Sequence, residues 1–165
     1  FAPAAAPAGA YRCARLARKA LSRLEFCGLA GHQPCRTPST ADVIAETRKG
    51  RQVVNLRTGA TLAVVRVIAA HDDYVAAVGE NRKLVVFPLN ELPEMGRGQG
   101  VTLQKYKDGG LSDATTFRLE EGLSWAMGGD TGRTRTEADL TPWRAARGAA
   151  GRMPPLGFPR DNRFG

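Results

Sequence analysis

From Gln52 onward the chain is written in short runs of β-branched and other apolar residues broken by polar turns: QVVNLR, TLAVVRVIA, YVAAVG and KLVVFP. Runs this short, rich in Val and Ile and bounded by Gly, Asn and Asp, predict strands rather than helices. We place them at 52–57, 61–69, 74–79 and 83–88. The intervening signals are Arg57-Thr58-Gly59-Ala60, His71-Asp72-Asp73 and Gly79-Glu80-Asn81-Arg82. Such short connections force antiparallel neighbours, because a parallel crossover needs roughly a dozen residues or more. The pattern therefore predicts a four-stranded meander.

A second set of runs predicts strands at 100–106, 113–119, 122–127 and 131–136. Turns fall at Lys107-Asp108-Gly109-Gly110, Glu120-Glu121-Gly122 and Gly128-Gly129-Asp130. Thr141-Pro142-Trp143 reads as an N-cap followed by proline at the first helical position, opening a short helix to Arg147. The Pro- and Gly-rich tail GRMPPLGFPRDNRFG is read as flexible or laid across a surface. At the other end, residues 1–10 are low-complexity, 11–26 carry Ala, Arg and Leu at helical spacing, and 31–40 form a linker. Residues 1–40 thus read as a basic segment, disordered or helical, 41–140 as about two β units, and 141–165 as a short helix with its tail. Beginning at Phe1 rather than Met, the chain reads as a processed product or a piece of a longer protein.

Charge changes this picture. The net charge of +8 points to an acidic partner such as nucleic acid or an anionic membrane surface. Residues 41–118 hold eleven basic and nine acidic residues, whereas 1–40 and 141–165 hold most of the excess. No apolar run is long enough to span a membrane as a helix. Cys13, Cys27 and Cys35 with His32 miss the paired C-x2-C spacing of zinc sites, so reduced cytosolic thiols are the better reading.

The stretch PEMGRGQGVTLQKYKDGGLSD carries the most pointed question. Its G-x-G-x-G triplet differs from the dinucleotide-binding G-x-G-x-x-G, and a strand-like VTLQKY follows where a helix N-terminus would be needed. The Walker pattern is absent too. The glycines read instead as a turn, which exposes Arg97; Lys105 and Lys107, two residues apart, share one face, with Gln104 and Tyr106 on the other. The motif is echoed upstream: Lys49-Gly50-Arg51-Gln52-Val53 resembles Arg97-Gly98-Gln99-Gly100-Val101. A repeat at this spacing, with several strands per unit, suits an array of propeller-like blades.

Three stretches are more specific: ETRKGRQVVNL (46–56), VAAVGENRKLVVFPLNELPEMGRGQGVTLQKYKDGGLSDATTF (75–117) and the terminal GFPRDNRFG (157–165). They resemble the C-terminal end of the A subunits of bacterial type II DNA topoisomerases, the family that unites topoisomerase IV with gyrase. The resemblance spans roughly residues 41–165. It implies an all-β fold, a β-pinwheel of antiparallel four-stranded blades present here as an incomplete array. It also implies a basic outer rim that binds and bends double-stranded DNA. The complete enzyme so implied is ATP-dependent, unlinks daughter chromosomes and relaxes supercoils. Its A chains self-associate through regions other than this one, and they work with the B subunit of topoisomerase IV in the cytoplasm, on the nucleoid. ATP and Mg2+ would serve that complex, with no cofactor held by this stretch. Nothing matches the family's motif around the DNA-attacking tyrosine, so Tyr11, Tyr74 and Tyr106 are not taken for it. The wrapping box of gyrase is reduced to a relic at 96–101, and residues 1–40 do not match although a further blade is expected there.

On this reading the phosphate-contacting candidates are Arg48, Lys49, Arg51, Arg82, Lys83, Arg97, Lys105 and Lys107. Each competes with plain solvation of a turn or strand edge. Arg57 and Arg66 read as solvated strand cations, Trp125 and Trp143 as packing anchors, and Met95 and Met127 as core fillers. His71-Asp72-Asp73 lacks a nucleophile, and Ser112-Asp113 lacks a nearby histidine, so neither supports acid–base catalysis. The rival reading is a structural module that docks onto the B subunit or the enzyme core and has little DNA affinity of its own.

Overall fold

The computed structural model describes residues 64–95, 100–127 and 132–165 in full, and the backbone of strands outside those ranges. The strands are β1 (Tyr11–Cys13), β2 (Arg23–Leu29), β3 (Arg51–Val54), β4 (Thr61–Ile68), β5 (Tyr74–Gly79), β6 (Leu84–Pro88), β7 (Leu111–Phe117), β8 (Leu123–Ala126) and β9 (Thr134–Glu137). All ladders between them are antiparallel: β1 with β3, β2 with β4, β5 with both β6 and β7, and β8 with β9.

The sheet β6-β5-β7 is the centre of the described region. Val75 to Gly79 and Leu84 to Phe87 are buried on both faces, which explains why these strands read as continuous apolar runs rather than as alternation. One face meets Val64, Ile68, Leu92, Leu103 and Tyr106. The other meets Leu123, Trp125, Leu140, Phe158 and Phe164. Trp125, Phe158 and Phe164 form an edge-to-face chain, with ring centroids 5.4 and 5.3 Å apart.

Several expectations are corrected. The meander breaks between β4 and β5. Asp72 closes the turn by accepting from the Ala69 amide, and both edges of β5 are taken by β6 and β7. Residues 89–110 form the long return from β6 to β7. Segment 100–106 is a bent run, not a strand; even so, Gln104 and Tyr106 point inward while Lys105 and Lys107 are exposed. In place of the helix expected at 11–26, the structure shows β1 and β2, and β2 pairs along β4 from Arg23↔Ile68 to Leu29↔Thr61. Pairing with a partner strand overrides local helix propensity there. The helix expected at 141–147 is a single 3-10 turn at Thr141–Trp143, with Leu140 rather than Thr141 at its N-cap.

Of the two readings of the tail, flexible or laid across a surface, the structure shows the second, against the edge of the central sheet. Arg152 exchanges both backbone hydrogen bonds with Leu84 of β6, at 2.7 and 3.0 Å, and Arg144 forms a parallel bridge with Val86. The open edge of the central sheet is thereby covered by the C-terminal segment, so the described residues show a three-stranded sheet with a bridged fourth position rather than a regular four-stranded blade. Gly151 has φ +78°, and a Cβ there would stand 2.6 Å from the Leu84 carbonyl oxygen. Only glycine lets the tail approach β6 this closely. Met127, expected as a core filler, is exposed.

Candidate nucleic-acid interface

The β5–β6 hairpin sets the geometry of the basic end. The Arg82 amide donates to the Gly79 carbonyl at 3.0 Å and the Gly79 amide to the Lys83 carbonyl at 3.0 Å, with Arg82 at φ +56°. This is a type I turn closed by a left-handed residue, a common three-residue hairpin loop. Asn81 Oδ1 accepts from the Lys83 amide at 3.2 Å and stiffens the turn. The Tyr106 ring packs on Gly79 so closely that a Cβ there would lie 2.8 Å from it.

Two other segments converge on this turn. The buried Gln104 amide donates to the Lys83 and Ala150 carbonyls, both at 2.9 Å, and the Lys105 amide donates to Ala149 at 3.2 Å. From the tail, the Phe158 and Pro159 carbonyls accept from the Arg82 guanidinium at 3.5 and 3.4 Å, and Asn162 donates to the Glu80 carbonyl. Arg82, Lys83, Lys105, Lys107, Arg152 and Arg160 are thus brought to one end of the sheet. Glu80, Asp108 and Asp161 are the acidic residues among them. Among the described residues, the charged groups of Lys83, Lys105, Lys107, Arg152 and Arg160 have neither an ion pair nor a hydrogen bond. Lys105, Lys107, Arg152 and Arg160 are exposed.

The opposite end of the same sheet is built differently. Asp72 accepts from the Ala69 amide and, at 2.6 Å, from the Thr116 hydroxyl; Asp73 accepts from the Leu119 amide at 2.8 Å. Glu91 accepts from the Arg147 amide, and the Arg147 guanidinium donates to the Glu91 and Thr102 carbonyls. Arg118 pairs with Glu120 and Glu121. Arg144 donates to the Tyr74 hydroxyl and lies over its ring. Here nearly every charge is committed to holding a turn or another side chain.

Of the expected phosphate contacts, Arg82, Lys83, Lys105 and Lys107 are brought together, although Arg82 also holds the tail. Arg48, Lys49 and Arg97 lie outside the described residues; Arg51 lies in β3, which pairs with β1, and its side chain also lies outside them. Sequence reasoning missed Arg152 and Arg160, because nothing local shows that a Pro- and Gly-rich tail returns to the hairpin. It also missed the interior pair of Arg66 and Asp113. Arg66 donates to both Asp113 carboxylate oxygens and to the Ala114 and Gly165 carbonyls, and Asp113 also accepts from the Ala114 and Phe164 amides. Arg66 is therefore a structural cation, not a solvated one. Among the described residues no His, Cys, Asp and Glu cluster is arranged to hold a metal ion, and no helix is long and apolar enough to cross a membrane.

Stacked antiparallel β units with both sheet faces buried define a blade-type fold, and likeness to known proteins gives it a class. The sequence profile of the family "DNA gyrase C-terminal domain, beta-propeller" matches residues 73–111, the β5–β6 hairpin and the return to β7. The fold is shared with the E. coli ParC C-terminal domain, at a TM-score of 0.67 and 18% identity over 88% of this chain and 60% of that one. It is also shared with the C-terminal domain of DNA topoisomerase IV, at a TM-score of 0.62 and 13% identity over 81% and 42%. Among curated proteins, the DNA topoisomerase 4 A subunit of Rickettsia bellii is 43% identical over 123 residues, and that of Caulobacter vibrioides 41% over 125 residues. Each alignment covers 74% of this chain and 16% of the relative, so the chain spans about a sixth of the length of the relatives it matches. The chain belongs to the family of topoisomerase IV A subunits and carries the C-terminal domain of that family.

Proposed function

We propose that this chain captures and bends duplex DNA as the C-terminal part of an ATP-dependent type II topoisomerase that unlinks chromosomes and relaxes supercoils. The observation that carries this reading is the set of unpartnered cations at the β5–β6 hairpin end, beside a sheet whose other charges are internally committed. An exposed ammonium or guanidinium with no protein partner can neutralise a phosphate and release its counterions without first breaking an ion pair. A rim of such groups reads backbone, not bases, so the complex tolerates many sequences and favours deformable ones. The chain itself cleaves no DNA and hydrolyses no ATP. Those steps belong to the remainder of the A chain and to a separate B subunit, in the cytoplasm on the nucleoid.

Fluorescence anisotropy of the chain with duplex DNA across a salt series tests this. Affinity should fall with a log–log slope of roughly −0.9 per phosphate contact. Lys105→Ala/Lys107→Ala should flatten the slope by about 1.8, two contacts' worth. The near balance of eleven basic and nine acidic residues in 41–118 favours a second reading, a module that docks on the enzyme core. Absence of DNA binding at low salt, with binding to the core retained, would establish that reading instead.

A further inference from the structure

Resting on the DNA-binding reading, we propose that Leu156, backed by Met153, is an apolar wedge that enters the minor groove and opens a base step of the DNA held by the basic rim. Leu156 is 88% exposed and Met153 62%, the two most exposed of the large hydrophobic side chains among the described residues. They flank Pro154 and Pro155 in a loop fixed at both ends. Before it, Arg152 is bonded to Leu84 next to Lys83. After it, Phe158 and Pro159 accept from Arg82, and Phe158 is buried in the core.

The loop is held from within as well. Trp143 Nε1 donates to the Met153 carbonyl at 2.6 Å, Trp125 Nε1 to the Gly157 carbonyl at 3.3 Å, and the Phe158 amide to the Pro155 carbonyl at 3.1 Å. Two prolines remove backbone freedom on top of this. A leucine so held sacrifices little entropy on insertion, unlike one on a floppy loop.

The surroundings select the occupant. Arg152 and Arg160 flank the loop in sequence, Arg82 and Lys83 meet its two anchors, and the Arg135 guanidinium lies against Gly157. An apolar tip with cations at both of its anchors suits a polyanion with an apolar interior, which is a base stack beneath phosphates. Leucine, methionine and proline are the residues that architectural proteins insert between base steps to kink a duplex. Flexible pyrimidine–purine steps should be preferred, because they unstack most readily.

The test uses the 165-residue chain and a duplex carrying a central TA step, a fluorescent adenine analogue at that step and a donor–acceptor pair on its ends. The wild-type chain should raise the analogue's fluorescence and shorten the end-to-end distance. Leu156→Ala and Leu156→Ala/Met153→Ala should lose both signals with an unchanged salt slope, and Leu156→Phe should keep them. These side chains are solvent-exposed, so the variants fold as the parent does. Retention of both signals in Leu156→Ala, as expected if the tip instead docks on a protein, overturns the wedge alone. Failure of the wild-type chain to bind DNA overturns the underlying reading as well.

Discussion

The two ends of the β6-β5-β7 sheet share one buried centre and differ in what their charges are for. At the end formed by 69–74, 88–91 and 117–121, Asp72, Asp73 and Glu91 tie down turn amides, and Arg118 answers Glu120 and Glu121. At the hairpin end, turns are held by backbone bonds and by the neutral amides of Asn81, Gln104 and Asn162, with Glu80 accepting from the Gly110 amide and Arg82 donating to the tail. Lys83, Lys105, Lys107, Arg152 and Arg160 are left for solvent or a ligand. Net charge alone does not make a binding face. Cations become available where other groups do the structural work.

The largest expected effect breaks the scaffold beneath both ends. Trp125→Ala removes a fully buried ring in edge contact with Phe158 and should lower the unfolding free energy by about 3–5 kcal/mol in denaturant titration. DNA affinity should fall with it, because the tail carrying Arg152 and Arg160 loses its anchor. Unchanged affinity would remove those two arginines from the interface. Asp113→Ala comes next. It strands the buried ends of Arg66, Ala114 and Phe164 and should cost about 2 kcal/mol, less than a fully buried pair because Arg66 is one-third exposed.

Glu120→Gln/Glu121→Gln should move stability by no more than about 0.5 kcal/mol, as exposed ion pairs contribute little. The smallest effect concerns pH. Hydrogen bonds from the Thr141 side chain and backbone hold the Asp139 carboxyl below the usual carboxylate range. A depressed folded-state pKa stabilises the fold above the unfolded value and loses that contribution as acid protonates the group. A carboxyl NMR titration should therefore find the Asp139 midpoint below that of an unstructured aspartate, and Thr141→Val, which keeps the backbone bond, should raise it part of the way back.

The blade-type fold was legible because β-branched runs and Gly/Asn/Asp turns are local signals, and β5, β6, β8 and β9 appear close to where those signals put them. Strand partners were not legible. Whether β4 or β7 lies beside β5 depends on a long return loop whose course is set by core burial of Leu92, Leu103 and Tyr106. Which of its two readings the tail would follow was not legible for a similar reason. Proline and glycine mark irregular backbone, and irregular backbone is compatible with burial when Phe158 and Phe164 anchor it. For the site, Lys105 and Lys107 were correctly placed on an outward face even without a strand, since alternation survives in a bent extended segment. Arg66 showed the limit of that logic, because its partner Asp113 lies far along the chain.

The most direct test compares the two ends on one axis, the salt dependence of duplex DNA binding. Charge removal at the hairpin end, Lys105→Ala/Lys107→Ala/Arg152→Ala, should flatten the log–log slope by about 2.7, at roughly 0.9 per lost contact. Glu120→Gln/Glu121→Gln at the other end should leave the slope where it was. Equal slopes for the parent and the hairpin-end variant would contradict the assignment of DNA to that end.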